Sequence, residues 1–144
     1  MPDSFTCHQS DHKMTGTFNV DRPHYLIVDD EAANRNLLKT FLAGRAEIVL
    51  ACDGKEALEK MHGHSFDAII CDVDMPFLNG IDFFKHVHAN DPEISKKILF
   101  CTGSYSHELN VLHTEHRVRY LLKPIQFIEL QSELARINPL PVNL

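Results

Sequence analysis

Short apolar runs alternate with amphipathic stretches through most of the chain, from Pro23 to Ile137. The runs are apolar at nearly every position, as expected for strands that are covered on both faces. They predict strands at 25–28, 48–52, 68–71, 98–101 and 120–122. Apolar residues at helical spacing predict helices at 31–43, 55–61, 81–87, 107–116 and 127–137. Strands that alternate with helices in this way predict an α/β protein with a parallel sheet.

The two ends of the chain lack this pattern. Residues 1–22 mix small polar and charged side chains with isolated apolar ones, which predicts a flexible N-terminal extension. Residues 139–144 contain two prolines, which cannot continue a helix because proline lacks an amide donor. We therefore expect one folded domain at 23–138, followed by a C-terminal tail or the start of a linker.

Polar side chains follow four of the five predicted strands. Asp29 and Asp30 follow the first strand, Asp72 the third, Thr102 the fourth and Lys123 the fifth. In an open α/β sheet, ligands bind beyond the carboxyl ends of the strands, where the strand order reverses. These side chains converge only if the second strand lies at the edge beside the first. The pattern therefore predicts strand order 2-1-3-4-5, with helices on both faces.

Three carboxylates in one crevice require a cation. Two unit charges about 4 Å apart repel by roughly 4 kcal/mol at an effective dielectric constant of 20. Magnesium prefers such oxygen ligands, especially together with phosphate oxygens. The ammonium of Lys123 and the hydroxyl of Thr102 suit a phosphoryl group better than a second metal. The set indicates phosphoryl chemistry on a carboxylate nucleophile.

Four segments resemble the receiver domain of two-component response regulators. They are LIVDDE at 26–31, DAIICDVDMPFLNG at 67–80, LFCTG at 99–103 and YLLKP at 120–124. The resemblance extends over about residues 23–137 and implies a flavodoxin-like three-layer sandwich. Asn79 departs from the family pattern, which usually has Asp before this Gly.

The resemblance also implies a role for seven positions. Asp72 would be the phospho-acceptor, and Lys123 the partner of its phosphate. Asp30 would bind magnesium directly, Asp74 would bind it through its backbone carbonyl, and Asp29 would act through metal-bound water. Thr102 would be the switch hydroxyl that binds the phosphoryl group, and Tyr120 the aromatic switch. A receiver domain of this kind is a phosphorylation-controlled switch rather than an enzyme that turns over other substrates.

The resemblance implies partners as well. The phosphoryl donor would be a sensor histidine kinase or a histidine phosphotransfer protein. A downstream protein or effector domain would bind the face formed by the predicted helix at 107–116, the fifth strand and the helix at 127–137. The formal charge of −6 provides no basic face for nucleic acid. The absence of a long apolar run or signal-peptide pattern predicts a cytoplasmic chain without membrane contact.

Alternative interpretations exist for several features. Asp29 and Asp30 could simply cap the first helix, and Tyr120 could be only a packed side chain. Asp72-Val73-Asp74 also resembles the nucleophile motif of haloacid-dehalogenase-type phosphatases, although those enzymes place the acidic metal pair last in the chain. A receiver fold that binds partners without phosphorylation is a third possibility.

Histidines and cysteines add no metal site to this interpretation. The ten histidines include pairs two positions apart, which point to different faces of a helix, and none joins a cysteine at zinc-finger spacing. We therefore interpret them as solvated surface residues. Cys71 and Cys101 each precede a candidate site residue on neighbouring strands, and we expect two buried thiols close together on one face of the sheet.

Overall fold

The computed structural model describes residues 22–139. The predicted extension at 1–22 and the predicted tail at 139–144 lie outside this part of the chain, except for one residue of each. Both therefore stay predictions.

Five parallel strands form a single sheet. They are β1 His24–Val28, β2 Glu47–Ala51, β3 Ala68–Asp72, β4 Ile98–Thr102 and β5 Arg119–Leu122. The order is β2-β1-β3-β4-β5, which confirms the prediction from the polar strand ends. Every residue of β3 and β4 is buried, as their continuous apolar runs indicate. Asp72 and Thr102 are the last residues of their strands, and not the first residues after them as the sequence suggested.

Six helices are present between residues 22 and 139. They are α1 Ala32–Leu42, α2 Gly54–Met61, α3 Gly80–Asn90, α4 Pro92–Ser95, α5 His107–His116 and α6 Phe127–Ile137. The fourth and fifth predicted helices are thus α5 and α6. Helix α4 was not predicted, although Asp91 followed by Pro92 is typical of a helix start. The Asp91 side chain accepts hydrogen bonds from the main-chain N–H groups of Glu93 and Ile94.

The sheet separates two apolar cores. Helices α2, α3 and α5 cover one face, where Phe83, Phe100 and Leu109 are completely buried. Helices α1 and α6 cover the other face through residues such as Leu42 and Leu130. This arrangement is the predicted three-layer sandwich. None of the helices in the described part is long and apolar enough for a membrane span.

The two buried cysteines correct one expectation. Cys71 lies in the core beneath α2, α3 and α5, whereas Cys101 lies in the core beneath α1 and α6. In the β3–β4 register Cys71 pairs with Phe100, and Cys101 pairs with Asp72. A shift of one residue along a strand reverses the face of the side chain. The two thiols are therefore buried on opposite faces of the sheet.

Asn79, which departs from the family pattern, begins α3. Its side chain accepts a hydrogen bond of 2.9 Å from the N–H of Asp82. Asparagine and aspartate are about equally good at this capping position. The departure therefore leaves the start of the helix intact.

Candidate functional site

The carboxyl ends of β1, β3 and β5 bring three charged side chains into contact. The Lys123 ammonium lies 3.3 Å from Asp29 Oδ2 and 3.2 Å from Asp72 Oδ1. Asp29 follows β1, Asp72 ends β3 and Lys123 follows β5, so the contact depends on the strand order. The structure thus unites three of the residues that the sequence suggested for one site.

A third carboxylate joins them at the surface. Asp29, Asp30 and Asp72 each have one carboxylate oxygen within 4.8 Å of an oxygen of the other two. Asp29 and Asp72 are only 2% and 7% exposed, whereas Asp30 is exposed to solvent. Three acidic groups against one ammonium leave the cluster negative if all ionise. Carboxylates at this spacing, two buried and one open to water, fit a hard divalent cation such as magnesium.

The close approach of these charges shifts the pKa values of Asp72 and Lys123. Burial, the charge of Asp29 and, more weakly, that of Asp30 raise the pKa of Asp72 from 3.8 to about 6, and Lys123 only partly opposes them. Burial alone would lower the pKa of Lys123, but the charges of Asp29 and Asp72 outweigh it and raise this pKa above its usual value. Lys123 is therefore a fixed positive charge, while Asp72 is a carboxylate that a cation would help to ionise.

Asp29 is held in place from two sides. Its Oδ1 accepts a hydrogen bond of 2.9 Å from the N–H of Glu31, and its carbonyl oxygen accepts one of 2.7 Å from Arg35 Nη1. Glu31, and not Asp29 or Asp30, is the residue at the start of α1, so helix capping does not explain the acidic pair. Sequence reasoning missed Arg35, which is only 4% exposed. The helical spacing could have indicated its burial, because Arg35 lies three positions before the buried Leu38 on the same face of α1.

Thr102 is buried at the end of β4, and its hydroxyl is engaged within the following loop. The hydroxyl donates to the Ser104 carbonyl oxygen at 3.0 Å and accepts from the Ser104 N–H at 3.3 Å. The half-buried ring of Tyr120 contacts two neighbours from the α5 side. Its centroid lies 4.8 Å from that of Tyr105 and 5.4 Å from that of His113. The hydroxyl and the ring therefore both border the segment that connects β4 to α5.

Gly80, the first residue of α3, follows the loop that leaves β3, and sequence reasoning did not single it out. The Gly80 N–H donates to the Val73 carbonyl oxygen at 2.8 Å, which folds the loop back onto β3. A Cβ atom on Gly80 would lie 2.3 Å from the Asp72 carbonyl oxygen, so any larger residue would force the backbone here to shift. Asp74 is exposed on this loop. Its role as a ligand through the backbone carbonyl stays a prediction.

The fold and the acidic site define a class of protein. The profile described as the response regulator receiver domain matches residues 25–135. The chain therefore belongs to the response regulator receiver domain family, whose members are signalling domains of two-component systems. This result confirms the family, the fold and the general function predicted from the four segments.

Individual relatives agree with this assignment. The transcriptional regulatory protein ZraR of Escherichia coli K12 is 33% identical over 119 residues, which are 82% of this chain and 26% of that protein. Among solved structures, the chemotaxis protein CheY4 of Vibrio cholerae is 32% identical with a TM-score of 0.71, over 81% of this chain and 98% of that one. The chain thus spans about a quarter of the length of ZraR and nearly all of CheY4.

A third relative supports the fold alone. The receiver domain of the sensor histidine kinase PA1611 from Pseudomonas aeruginosa is 24% identical with a TM-score of 0.69, over 80% of this chain and 96% of that one. That protein was solved with a magnesium ion coordinated in its active-site cleft.

Proposed function

We propose that Asp72 accepts a phosphoryl group from a phosphohistidine on a partner protein. A carboxylate oxygen of Asp72 forms a bond to phosphorus, and the bond between phosphorus and the histidine nitrogen breaks. The electron pair of that bond leaves with the imidazole. The product is an aspartyl phosphate on this chain and a free histidine on the donor.

The observation that carries the proposal is the position of Lys123 between two buried carboxylates. The ammonium contacts Asp72 directly, so a phosphoryl group on Asp72 would lie within its reach. Transfer concentrates negative charge on phosphoryl oxygens, and a preorganised positive charge stabilises that charge best where water is excluded. Asp29 shares the same ammonium and restrains its position.

Magnesium is the cofactor of this proposal. Asp29, Asp30 and Asp72, together with the backbone carbonyl of Asp74, would hold the ion, with Asp29 acting mainly through water. When bound, the ion supplies positive charge that favours the ionised form of Asp72 and offsets the charge of the phosphoryl oxygens. The raised pKa of Asp72 supports this assignment, because a cluster that resists full ionisation gains most from a cation.

The switch of this proposal links Thr102 to Tyr120. The Thr102 hydroxyl exchanges its bonds to Ser104 for a bond to a phosphoryl oxygen, and Tyr120 moves toward the space that opens. Such a change shifts the populations of two arrangements of the face formed by α5, β5 and α6. That face carries exposed apolar side chains at Leu122 and Ile128, which suit a downstream protein or effector domain.

The donor in this proposal is a sensor histidine kinase or a histidine phosphotransfer protein. The functional unit spans residues 23–138, with the remaining residues as extension and tail or linker. We propose a cytoplasmic location without membrane contact, and an output through protein contacts rather than direct contact with nucleic acid.

A small phosphodonor tests the chemistry without a partner. The chain is incubated with acetyl phosphate and magnesium, and its intact mass is measured. We expect a gain of one phosphoryl mass, no gain in Asp72→Ala and a normal gain in Asp82→Asn, which removes an exposed acid on α3. No gain in the parent chain, or a gain that survives in Asp72→Ala, would refute the proposal. Release of many equivalents of phosphate from an organic monophosphate would instead favour a phosphatase.

A further inference from the structure

A second cleft lies at the end of the sheet opposite to Asp72. It has a volume of about 430 Å³ and is bordered by the C-terminal ends of α3 and α5, by α4 and by Val118, the residue before β5. A five-residue strand is about 15 Å long, so the cleft and the acidic cluster are separate sites. The rings of His88 and His116 line the cleft with centroids 4.6 Å apart.

The hydrogen bonds around His88 determine which ring nitrogen is protonated. The Ser95 hydroxyl, on a residue only 3% exposed, donates its proton to the Pro92 carbonyl oxygen at 2.8 Å. His88 Nδ1 lies 3.0 Å from the same hydroxyl oxygen. Because the hydroxyl has one proton, and we place it on the bond to Pro92, we assign Nδ1–H as the donor in this contact. In the neutral ring the other nitrogen, Nε2, then carries a lone pair. A metal-binding histidine is typically oriented by a hydrogen bond of this kind from its second nitrogen.

The spacing of the two rings matches a shared metal ion. With metal–nitrogen bonds of about 2.0–2.1 Å and tetrahedral angles, the centroids of two coordinating imidazoles lie about 5 Å apart. The observed separation is 4.6 Å, with the two ring planes at 62° to each other. His116 is exposed, so its ring can rotate to bring a nitrogen toward a shared ion. The ring of Phe84 packs beneath both imidazoles, 5.5 Å from each, and limits their movement.

The charges around the cleft permit a cation. Helices α3 and α5 both end here, and the carbonyl groups at a helix C-terminus favour positive charge. Glu115 lines the cleft and adds a carboxylate. Of the two basic side chains at the rim, Lys96 is paired with Glu93 at 3.1 Å, which leaves Arg117 to balance Glu115.

We propose that His88 and His116 form a binding site for a borderline transition-metal dication of the Zn²⁺ type. Imidazole nitrogens select such ions over magnesium, which prefers oxygen ligands. Binding would link the C-terminal turns of α3 and α5 far from Asp72. The sequence argued against metal binding by histidines because spacing along the chain compares only residues of the same helix. These two histidines come from different helices. The inference is independent of the proposed phosphorylation.

Zinc titration of the whole chain tests the site. The probe is Zn²⁺ in a buffer with excess magnesium, added to compete for the acidic cluster, and binding is measured by calorimetry. We expect His88→Gln and His116→Gln each to weaken the strongest site by about tenfold or more. The control His86→Gln, an exposed position on α3 outside this cleft, should bind as the parent chain does. Parent affinity in either cleft variant, or an equal loss in the control, would overturn the proposal.

Two further measurements distinguish metal binding from a role in packing alone. Long-range ¹H–¹⁵N spectra of the histidine rings should show the zinc-dependent shift at Nε2 of His88, with the proton retained on Nδ1. A shift at Nδ1, or none, would overturn the proposal. Ser95→Ala should weaken zinc by about tenfold, because it removes the bond that orients His88. Zinc affinity unchanged in folded Ser95→Ala would show that the hydrogen bond does not position a ligand.

Discussion

Replacement of Asp72 by asparagine removes a carboxylate whose ionisation is costly in the folded protein. Burial and the charge of Asp29 raise the pKa of this group from 3.8 to about 6. At about 1.4 kcal/mol for each pKa unit, the ionised form costs the folded state about 3 kcal/mol. Asparagine has nearly the same shape as a protonated aspartate and carries no such cost.

The direction of the change in stability with pH follows from proton binding. Between about pH 4 and pH 6 the folded protein holds a proton on Asp72 that the unfolded chain has lost. The contribution of this group to stability is therefore present at low pH and is lost as the pH rises through 6. We expect Asp72→Asn to equal the parent chain near pH 4 and to exceed it by up to about 3 kcal/mol above about pH 7.

Urea unfolding in chelator at a series of pH values measures this difference. Subtracting the two curves removes the pH dependence that the parent chain and the variant share, and leaves the difference due to residue 72. Magnesium added above pH 7 should recover part of the loss in the parent chain and less in the variant, because it favours the ionised carboxylate. Curves that run parallel from pH 4 to pH 8 would refute the reasoning, since they would mean that Asp72 has an ordinary pKa.

Three further substitutions, and one control, test the surroundings of the site. Gly80→Ala should lower the free energy of unfolding by about 2–3 kcal/mol, because its Cβ would lie 2.3 Å from the Asp72 carbonyl oxygen. Gly103→Ala, where a Cβ meets nothing within 4 Å, should change it by less than about 0.5 kcal/mol, and equal effects in urea unfolding would contradict this account. Arg35→Met should cost about 1–3 kcal/mol by the same assay, because a buried carbonyl loses its partner; an unchanged midpoint would argue against that bond. Asp30→Asn should weaken magnesium binding and lower the pKa of Asp72, which an NMR titration would detect; a constant pKa would mean that the exposed charge is fully screened.

The strand order shows how much of the fold is readable from local pattern. Apolar runs and helical spacing are short-range features, and they located all five strands and five of the six helices. The position of Asp72 and Lys123 at strand ends then implied which strands are neighbours. Helix α4 was not predicted because four residues are too few to show helical periodicity, although the sequence contains its capping aspartate and its proline.

The sequence predicted which residues form the candidate site, but it did not predict their burial or the pKa of Asp72. Nothing in the sequence distinguishes the burial of Asp29 from that of Asp30, yet Asp29 is buried against Lys123 and held by Arg35, while Asp30 is exposed. Burial depends on what the rest of the chain packs over each side chain, and no local pattern records it. The raised pKa of Asp72 has the same origin.

Local sequence was sufficient for the α/β alternation, the acidic strand ends and the resemblance to receiver domains, because each is encoded by residues close together in the chain. Tertiary structure alone decided which carboxylates share one ammonium, and it alone brought the ring of His88 beside that of His116. The physical reason is distance. Charge interactions and coordination depend on separations of a few ångströms between atoms that the chain carries far apart, and only the packed fold determines those separations.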